Sequence, residues 1–490
     1  MFSTATLKAA CLVLVLLGIS TLEVRAQSPD SVLTIEELMK YVMRNHPTAV
    51  RASLPPAIAE AQLRTARGSF DPKAYGDWSR KSFDGKNYWR TGDFGLKSQT
   101  SVAGLQVKAG YQTASGQFLS SESTLPAAGQ AFLGVEVPLL QGLMIDEPRA
   151  ELQKAQIGLE VSQNERRFLL NELAYQTILA YVDWAVAYSQ REVARNALEL
   201  IDERLESTRE SFYQGAMPGI DTLETYIQLQ TQQLLLQDAQ LALEQANIEL
   251  SFFLWGTQPS GTLPVPYVPE NILDNPPAID WQSNVRLTIG QTHPELQMKI
   301  GKLEQLTIEE RWAKEQLKPF LSAGYTLIGN GFDLAGFPQD GEQAFIDNLL
   351  TENYKWEIKA SFPLFLRKER GKLEQVRVKM LDTERFIDEK QQMITTKIEN
   401  SYRQWELATR QIQQYENVVA NYQRLVEAER DKFRVGSSSV FLLNSRLQKL
   451  VEAQLKLVQL RGKQQKFYYS SWYAAGQLHD LLNLEDYTLN

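Results

Sequence analysis

The chain has 490 residues, with 51 Lys and Arg against 59 Asp and Glu and a formal net charge of −8. That length suits two or three ordinary domains, and an acidic balance without a basic block excludes a nucleic-acid partner. The single cysteine, Cys11, excludes a disulfide framework and a cysteine-bound metal.

Residues 1–26, "MFSTATLKAACLVLVLLGISTLEVRA", have a basic start at Lys8, an apolar run from Ala9 to Ile19 and a small-residue site at Val24 and Ala26. Such a run is too short to cross a bilayer as a helix, so the segment reads as a secretory signal peptide. Its loss removes Lys8, Glu23, Arg25 and Cys11, leaving a net charge of −9 and no thiol. A lipoprotein cysteine would follow the apolar run, whereas Cys11 lies inside it, so no acyl anchor is expected. No later segment has the twenty or so uncharged apolar residues of a membrane helix. The nearest, Leu169 to Tyr188, contains Glu172 and Asp183 and reads as a packed helix.

The remainder is written as one plan used twice. His46-Pro47 precedes Pro72 as His293-Pro294 precedes Pro319, with an offset of 247 throughout, and "VPLLQG" at Val137–Gly142 parallels "FPLFLR" at Phe362–Arg367. We therefore expect a first repeat over 27–254, a proline-rich linker over 255–279 and a second repeat over 280–490. Each repeat opens with a helix, through "RASLPPAIAEAQLRTARG" and "QMKIGKLEQLTIEERWAKEQ".

The period then changes from helical to two, over 73–140 in the first half and 320–366 in the second. "AGLQVKAGYQ" puts Ala103, Leu105, Val107, Ala109 and Tyr111 on one face; "AFLGVEVPL" alternates Leu133, Val135, Val137 and Leu139 against Gly134 and Glu136. "FLSAGYTL" and "KWEIKASF" do the same with Tyr325, Trp356 and Ile358 on the apolar side. Either a soluble core or lipid would satisfy one such strand. With nothing else apolar enough to cover the sheet, lipid is the expected cover, meeting Leu105, Val107, Val135, Val137, Tyr325, Trp356 and Ile358.

Long helices follow, over 148–214 and 369–435, each roughly 100 Å at 1.5 Å per residue. Steps of three and four run from Leu169 through Leu173, Gln176, Ala180, Trp184, Ala187, Arg191, Ala194, Leu198, Ile201, Leu205 and Thr208 to Phe212, a coiled-coil seam. Glycine-containing breaks, "FYQGAMPGIDTLE" and "FRVGSSSVFLLN", lead into return helices over 218–254 and 439–475. Their seams are read as Leu223, Ile227 and Leu234, then Leu443, Leu447, Leu450 and Leu457. Gly215 and Gly436 are placed to end the long helices in a left-handed conformation, so each break is the tip of an antiparallel hairpin.

Catalytic chemistry has no foothold. His46, His293 and His479 are far apart and lack cysteine partners, and the two histidine-proline pairs read as helix boundaries. There is no phosphate loop, GxSxG or HExxH, and the serines of "GSSSV" have no base nearby in sequence. No enzyme, cofactor or metal is expected. The sequence alone leaves two readings, a conduit segment closed by other copies and a secreted or periplasmic coiled-coil scaffold without transport activity.

"LTIEELMKYVMRNHP", "AEAQLRTARGSFDP", "VPLLQG", the two long helices and the two glycine tips resemble the TolC-like outer membrane efflux protein family over nearly the whole chain after the signal. The resemblance implies a mainly α protein with membrane β-strands, located in the outer membrane with a periplasmic extension. It further implies a homotrimer whose subunits each give four strands to a 12-stranded transmembrane β-barrel and four helical segments to a periplasmic α-barrel. A periplasmic adaptor and an inner membrane transporter would dock at the tips, here Gly215, Ala216 and Met217 with Val435, Gly436, Ser437 and Ser438. The function implied is the exit duct of a tripartite efflux or type I secretion system. The second tip is the closer match, because Pro218 and Gly219 intrude in the first. Asp221 and Asp431 lie near the turns without matching a gate. The first strand region is longer than its counterpart, and Asp84-Gly85 has hairpin-turn composition, which leaves open an extra pair of strands per subunit.

Overall fold

The computed structural model describes residues 31–255, 267–275, 293–329 and 353–482. The expected signal peptide and most of the expected linker lie outside them. Nine helices are described: α1 Ile35–Asn45, α2 Pro47–Ala52, α3 Leu54–Gly68, α4 Glu147–Tyr213, α5 Gly219–Phe253, α6 Pro294–Glu315, α7 Arg367–Arg434, α8 Val440–Ala474 and α9 Leu478–Leu481. The strands are β1 Ser31–Leu33, β2 Lys73–Phe83, β3 Lys86–Gln99, β4 Gln106–Ser115, β5 Gln130–Pro138, β6 Tyr267–Pro269, β7 Phe320–Ile328 and β8 Tyr354–Ser361.

Local chemistry sets the helix starts. Thr34 and Glu37 form a reciprocal capping box on α1, each side chain accepting the other's backbone N–H. Asp146 caps α4 by accepting the Arg149 N–H at 3.0 Å, and Pro148 sits in the first turn, where a missing N–H costs nothing. Asp146 also accepts from Gln99 Nε2 at 2.9 Å, tying the end of β3 to the start of α4.

Helices α3 and α5 pack along α4, α6 and α8 pack along α7, and α4 in turn contacts α6 and α8. The largest core surrounds the middle of α4, where Leu170, Ala174, Ile178, Tyr181 and Trp184 meet Leu38, Met39 and Val42 of α1 and Leu250 of α5. Tyr181 Oη donates to the Leu33 carbonyl at 2.6 Å and accepts from the Glu270 N–H at 3.0 Å, which fixes the parallel β1–β6 pair beside that core. A second core, with Ile201, Leu205, Leu229, Ile412, Val419, Leu447, Leu450 and Leu457, continues toward the tips.

Three seam assignments change, the first at the end of α4, where Phe212 is exposed. Gln176 is exposed and bonds to Glu172, while Thr177 is buried in its place, because its hydroxyl is satisfied by the Leu173 carbonyl at 2.8 Å. On α5 the packed face is Thr225, Leu229 and Gln232, whereas Leu223, Ile227 and Leu234 are exposed. The most apolar side of α5 is therefore turned away from its own hairpin.

Two glycines allow close approach to α4. A Cβ on Gly462 of α8 would lie 2.3 Å from Val186 Cγ2, and one on Gly301 of α6 would lie 2.4 Å from Val161 Cγ2. Replacing either by Leu is expected to force the helices apart at about 1 to 3 kcal/mol, read as a lowered Tm followed by helical ellipticity. An unchanged Tm would show that the contact is not tight.

His46 and His293 stand immediately before α2 and α6. His46 Nδ1 accepts the Thr48 N–H at 3.2 Å and so caps α2. Burial lowers the His293 imidazole to about 4; Lys390 and Lys397 add to the lowering and Glu295 opposes it. The folded state therefore binds this proton less well than the unfolded chain, whose imidazole titrates near 6.5. Stability is complete above that pH and falls between about 6.5 and 4, by up to about 3 kcal/mol. Denaturant midpoints should drop over that window, and His293→Gln should flatten the drop. An equal drop in the variant would place the titration elsewhere.

The six remaining strands form one antiparallel sheet in the order β2-β3-β4-β5-β7-β8. The resemblance implies four strands per chain and the longer first region left room for an extra pair; the described residues carry six. The reason lies in two tight reversals. Asp84 and Gly85 have φ of 52° and 70°, the left-handed pair that a two-residue hairpin turn requires. Ala103 and Gly104 have φ of 53° and 70° and reverse the chain again before β4. Ala103 and Leu105 accordingly belong to this reversal and not to a strand, with the Leu105 carbonyl accepting the Thr100 N–H at 2.7 Å.

Candidate functional site

Register decides which side chains share a face, because directly paired residues project to the same side. Trp78 and Gly76 pair with Gly92 and Phe94; Phe94 and Leu96 pair with Tyr111 and Ala109. Val107 and Ala109 pair with Val135 and Leu133, and these with Tyr325 and Leu327. Tyr325 and Ala323 pair with Trp356 and Ile358. One side of all six strands is therefore a continuous apolar band. Trp356 and Ile358 are 65% and 60% exposed, and no described helix makes more than marginal contact with the sheet. Of the positions expected to meet lipid, Val107, Val135, Val137, Tyr325, Trp356 and Ile358 share this face, whereas Leu105 sits one residue before β4.

The opposite side is polar. Glu136 accepts from Ser322 Oγ at 2.8 Å and from Lys359 Nζ at 3.0 Å. Asp93 accepts from Tyr75 Oη at 3.3 Å and Gln112 Nε2 at 3.1 Å. Lys73, Lys97 and Lys108 fall in one row across β2, β3 and β4. Such a surface suits a water-filled interior.

Strands become helices at the two parallel landmarks. Leu139, Leu140 and Met144 after β5, and Phe362, Leu364 and Phe365 after β8, are exposed. Basic residues Arg367, Lys368 and Arg370 follow, and the Arg367 guanidinium lies 5.3 Å from the centre of the Phe365 ring. Apolar side chains edged by Lys and Arg are the pattern found where hydrocarbon gives way to headgroups in membrane proteins. The junction is braced from within: the Arg149 guanidinium donates to the carbonyls of Gly142, Leu143 and Met144, and buried Glu315 accepts the Met144 N–H at 3.4 Å.

At the far ends of α4 and α7 the turns have the same geometry. Gly215 and Gly436 have φ of 75° and 76°. Ala216 N–H donates to the Ser211 carbonyl and Ser437 N–H to the Lys432 carbonyl, both at 2.9 Å, the bond that closes a Schellman turn. Gly215 and Ala216 are exposed with Met217 half-buried, as Gly436 and Ser437 are exposed with Ser438 half-buried; Val435 is also exposed. Pro218 and Gly219 therefore do not lengthen the first turn. They replace the capping side chain, which at Ser439 accepts the Leu442 N–H.

The two tips differ just behind the turn. Glu429 is buried, accepts from Ser438 Oγ at 2.5 Å and lies 3.9 Å from Arg446 Nε. The matching positions at the first tip are Thr208 and Thr225, both buried and each bonded to its own helix. Arg204 crosses from α4 to donate to Asn444 Oδ1 at 3.0 Å, and burial lowers its guanidinium to about 10 with Arg430 adding to the effect. Asp431 pairs with Arg434 at 3.4 Å, while burial and then Asp221 raise Glu224. None of Glu429, Arg446, Arg204 or Asn444 stands out in sequence. Glu429 and Arg446 do lie at matching distances on either side of the turn, which an antiparallel register would have paired.

Residues 321–468 match the family model described as outer membrane efflux protein. No curated protein matches the sequence. The Campylobacter jejuni CmeC outer membrane channel has the same fold with a TM-score of 0.64 at 13% identity, over 96% of this chain and 94% of that one. The Vibrio cholerae outer membrane protein VceC aligns with a TM-score of 0.62 at 14% identity, over 90% and 96%. The open state of the Neisseria gonorrhoeae MtrE outer membrane channel gives 0.62 at 12%, over 91% and 89%. Residues 321–468 thus carry the sequence pattern of the outer membrane efflux proteins, and the chain as a whole has the TolC-like fold of their channels.

Proposed function

We propose that this chain is one subunit of a homotrimeric exit duct in the outer membrane, with a helical tunnel in the periplasm. It acts as the passive outer member of a tripartite efflux or type I secretion system, fed by an inner membrane transporter and joined to it by a periplasmic adaptor at the two tips. The observation that carries this reading is the sheet: an apolar band runs across one face, the other is polar, and among the described residues it is open at β2 and β8. Unpaired edges are not tolerated in lipid, so the sheet must close with further copies. The helices give a second, independent support. Ile220, Ile227, Leu234, Leu241 and Ile248 recur every seventh residue on α5 and are all at least half exposed, a coiled-coil seam without a partner among the described residues of its own chain.

The protein is expected in the outer membrane fraction, extracted as an oligomer only with detergent, and conducting ions in planar bilayers. A monodisperse monomer stable in plain buffer would instead support a soluble scaffold.

A further inference from the structure

We infer that the outer membrane portion of this assembly is an 18-stranded barrel, with β2 of each subunit sealed against β8 of the next. This rests on the trimeric duct proposed above and adds the barrel's size and its seam.

First, β2 and β3 belong to the lipid-facing sheet. Trp78 stacks on Phe94 at 6.4 Å between ring centres on the apolar face, and Leu96 continues that face toward Ala109 and Leu133. Trp78, Phe94 and Leu96 are exposed, as side chains waiting for hydrocarbon should be. On the other face, Asp93 holds Tyr75 and Gln112 together across β2, β3 and β4. A hairpin lying outside the barrel wall would have no use for this continuity.

Second, the two free edges suit each other. Strands β2 and β8 run in opposite directions, since five antiparallel pairings separate them. In a closed ring they therefore meet antiparallel, with Trp78 and Trp356 on the same outer face. On the inner face β8 presents Lys355, Glu357 and Lys359 in turn, and β2 presents Asp77 and Lys81.

Third, the widths agree. Strands about 4.8 Å apart and tilted about 40° occupy about 6.3 Å of circumference each, so six span about 38 Å and four only about 25 Å. Four helices side by side, at 8 to 10 Å between axes, span about 32 to 40 Å. Six strands thus cover the arc of the four helical segments below them. Three subunits close a barrel about 36 Å across at the backbone, against about 24 Å for twelve strands. The duct would run from tunnel to exit without a neck.

Counting strands and subunits in an electron cryomicroscopy map of the detergent-extracted full assembly tests this directly. Eighteen strands from three subunits is the expected result; twelve, from either two subunits or three, overturns it. Absence of any membrane barrel would overturn the duct itself, so the two failures are distinguishable. Cysteine pairs give a second measurement, because the only native cysteine lies in the segment expected to be removed. Asp77→Cys combined in turn with Lys355→Cys, Glu357→Cys or Lys359→Cys should yield covalent oligomers in at least one pairing. Gln112→Cys of β4 with the same three should not. Cross-links from β4, or none from β2 in an assembled oligomer, would place the β2–β3 hairpin outside the wall.

Discussion

Arginine in place of Val135 is expected to deplete the assembled oligomer from the outer membrane, and Ile358→Arg to do so less severely. Both residues lie on the apolar face, where an unpaired guanidinium costs about 2 to 4 kcal/mol at the bilayer midplane and less toward the interfaces. Val135 is the midpoint of the register that β5 shares with β7, whereas Ile358 lies closer to the end of β8 that leads into the helices. The cost would be incurred in every subunit, so the proposed ring of three would bear it three times. Gln112→Arg is the matched control. It projects to the polar face beside Asp93, which already accepts a hydrogen bond from Gln112, and an arginine there keeps both a carboxylate partner and water. Outer membrane yield and the fraction surviving as oligomer in mild detergent are the readouts. Should Val135→Arg match Gln112→Arg in both, the apolar face does not meet lipid.

What the sequence disclosed, and what it concealed, follows from how locally each feature is encoded. Strands β4, β5, β7 and β8 were legible because alternation repeats at every second residue and needs no knowledge of the partner strand. Strands β2 and β3 were less so, since their apolar face includes Ala74, Gly76 and Gly92 and carries a weaker period. Asp84-Gly85 announced its turn, whereas Ala103 adopts a left-handed φ that alanine seldom takes, and so the strand after it was read as starting too early. The error on α5 has a different cause. A seam is sought on the most apolar side, yet a helix can pack on more than one neighbour, and here the side facing its own hairpin is Thr225, Leu229 and Gln232. The stripe through Ile227 and Leu234 was visible; that it stays exposed in its own chain was not. At the tips, Gly215 and Gly436 were legible because few other residues end a helix this way. The Glu429–Ser438 bond was hidden, because it depends on the register of two helices across the turn.

Valine in place of Gly436 is expected to abolish export while leaving the oligomer assembled. At φ 76° a side chain with a Cβ is strained, at about 1 to 2 kcal/mol, and a β-branched residue suffers most. No atom lies within 4 Å of the position a Cβ would take, so nothing collides. The strain must be relieved by the turn itself. Behind it the α7–α8 hairpin is held by Ile412, Val419, Leu447, Leu450 and Leu457, a core far too large to yield to so small a cost. Reshaping is therefore confined to Val435, Gly436, Ser437 and Ser438, the surface proposed to meet the adaptor, and would also disturb the bond from Ser438 to Glu429. Asparagine tolerates the left-handed conformation, so Gly436→Asn should retain export. Oligomer yield in detergent, export of the cognate cargo and co-purification with the adaptor separate the cases. Equal export by the valine and asparagine variants would remove the turn from the docking surface, and loss of the oligomer in the valine variant would assign it to folding instead.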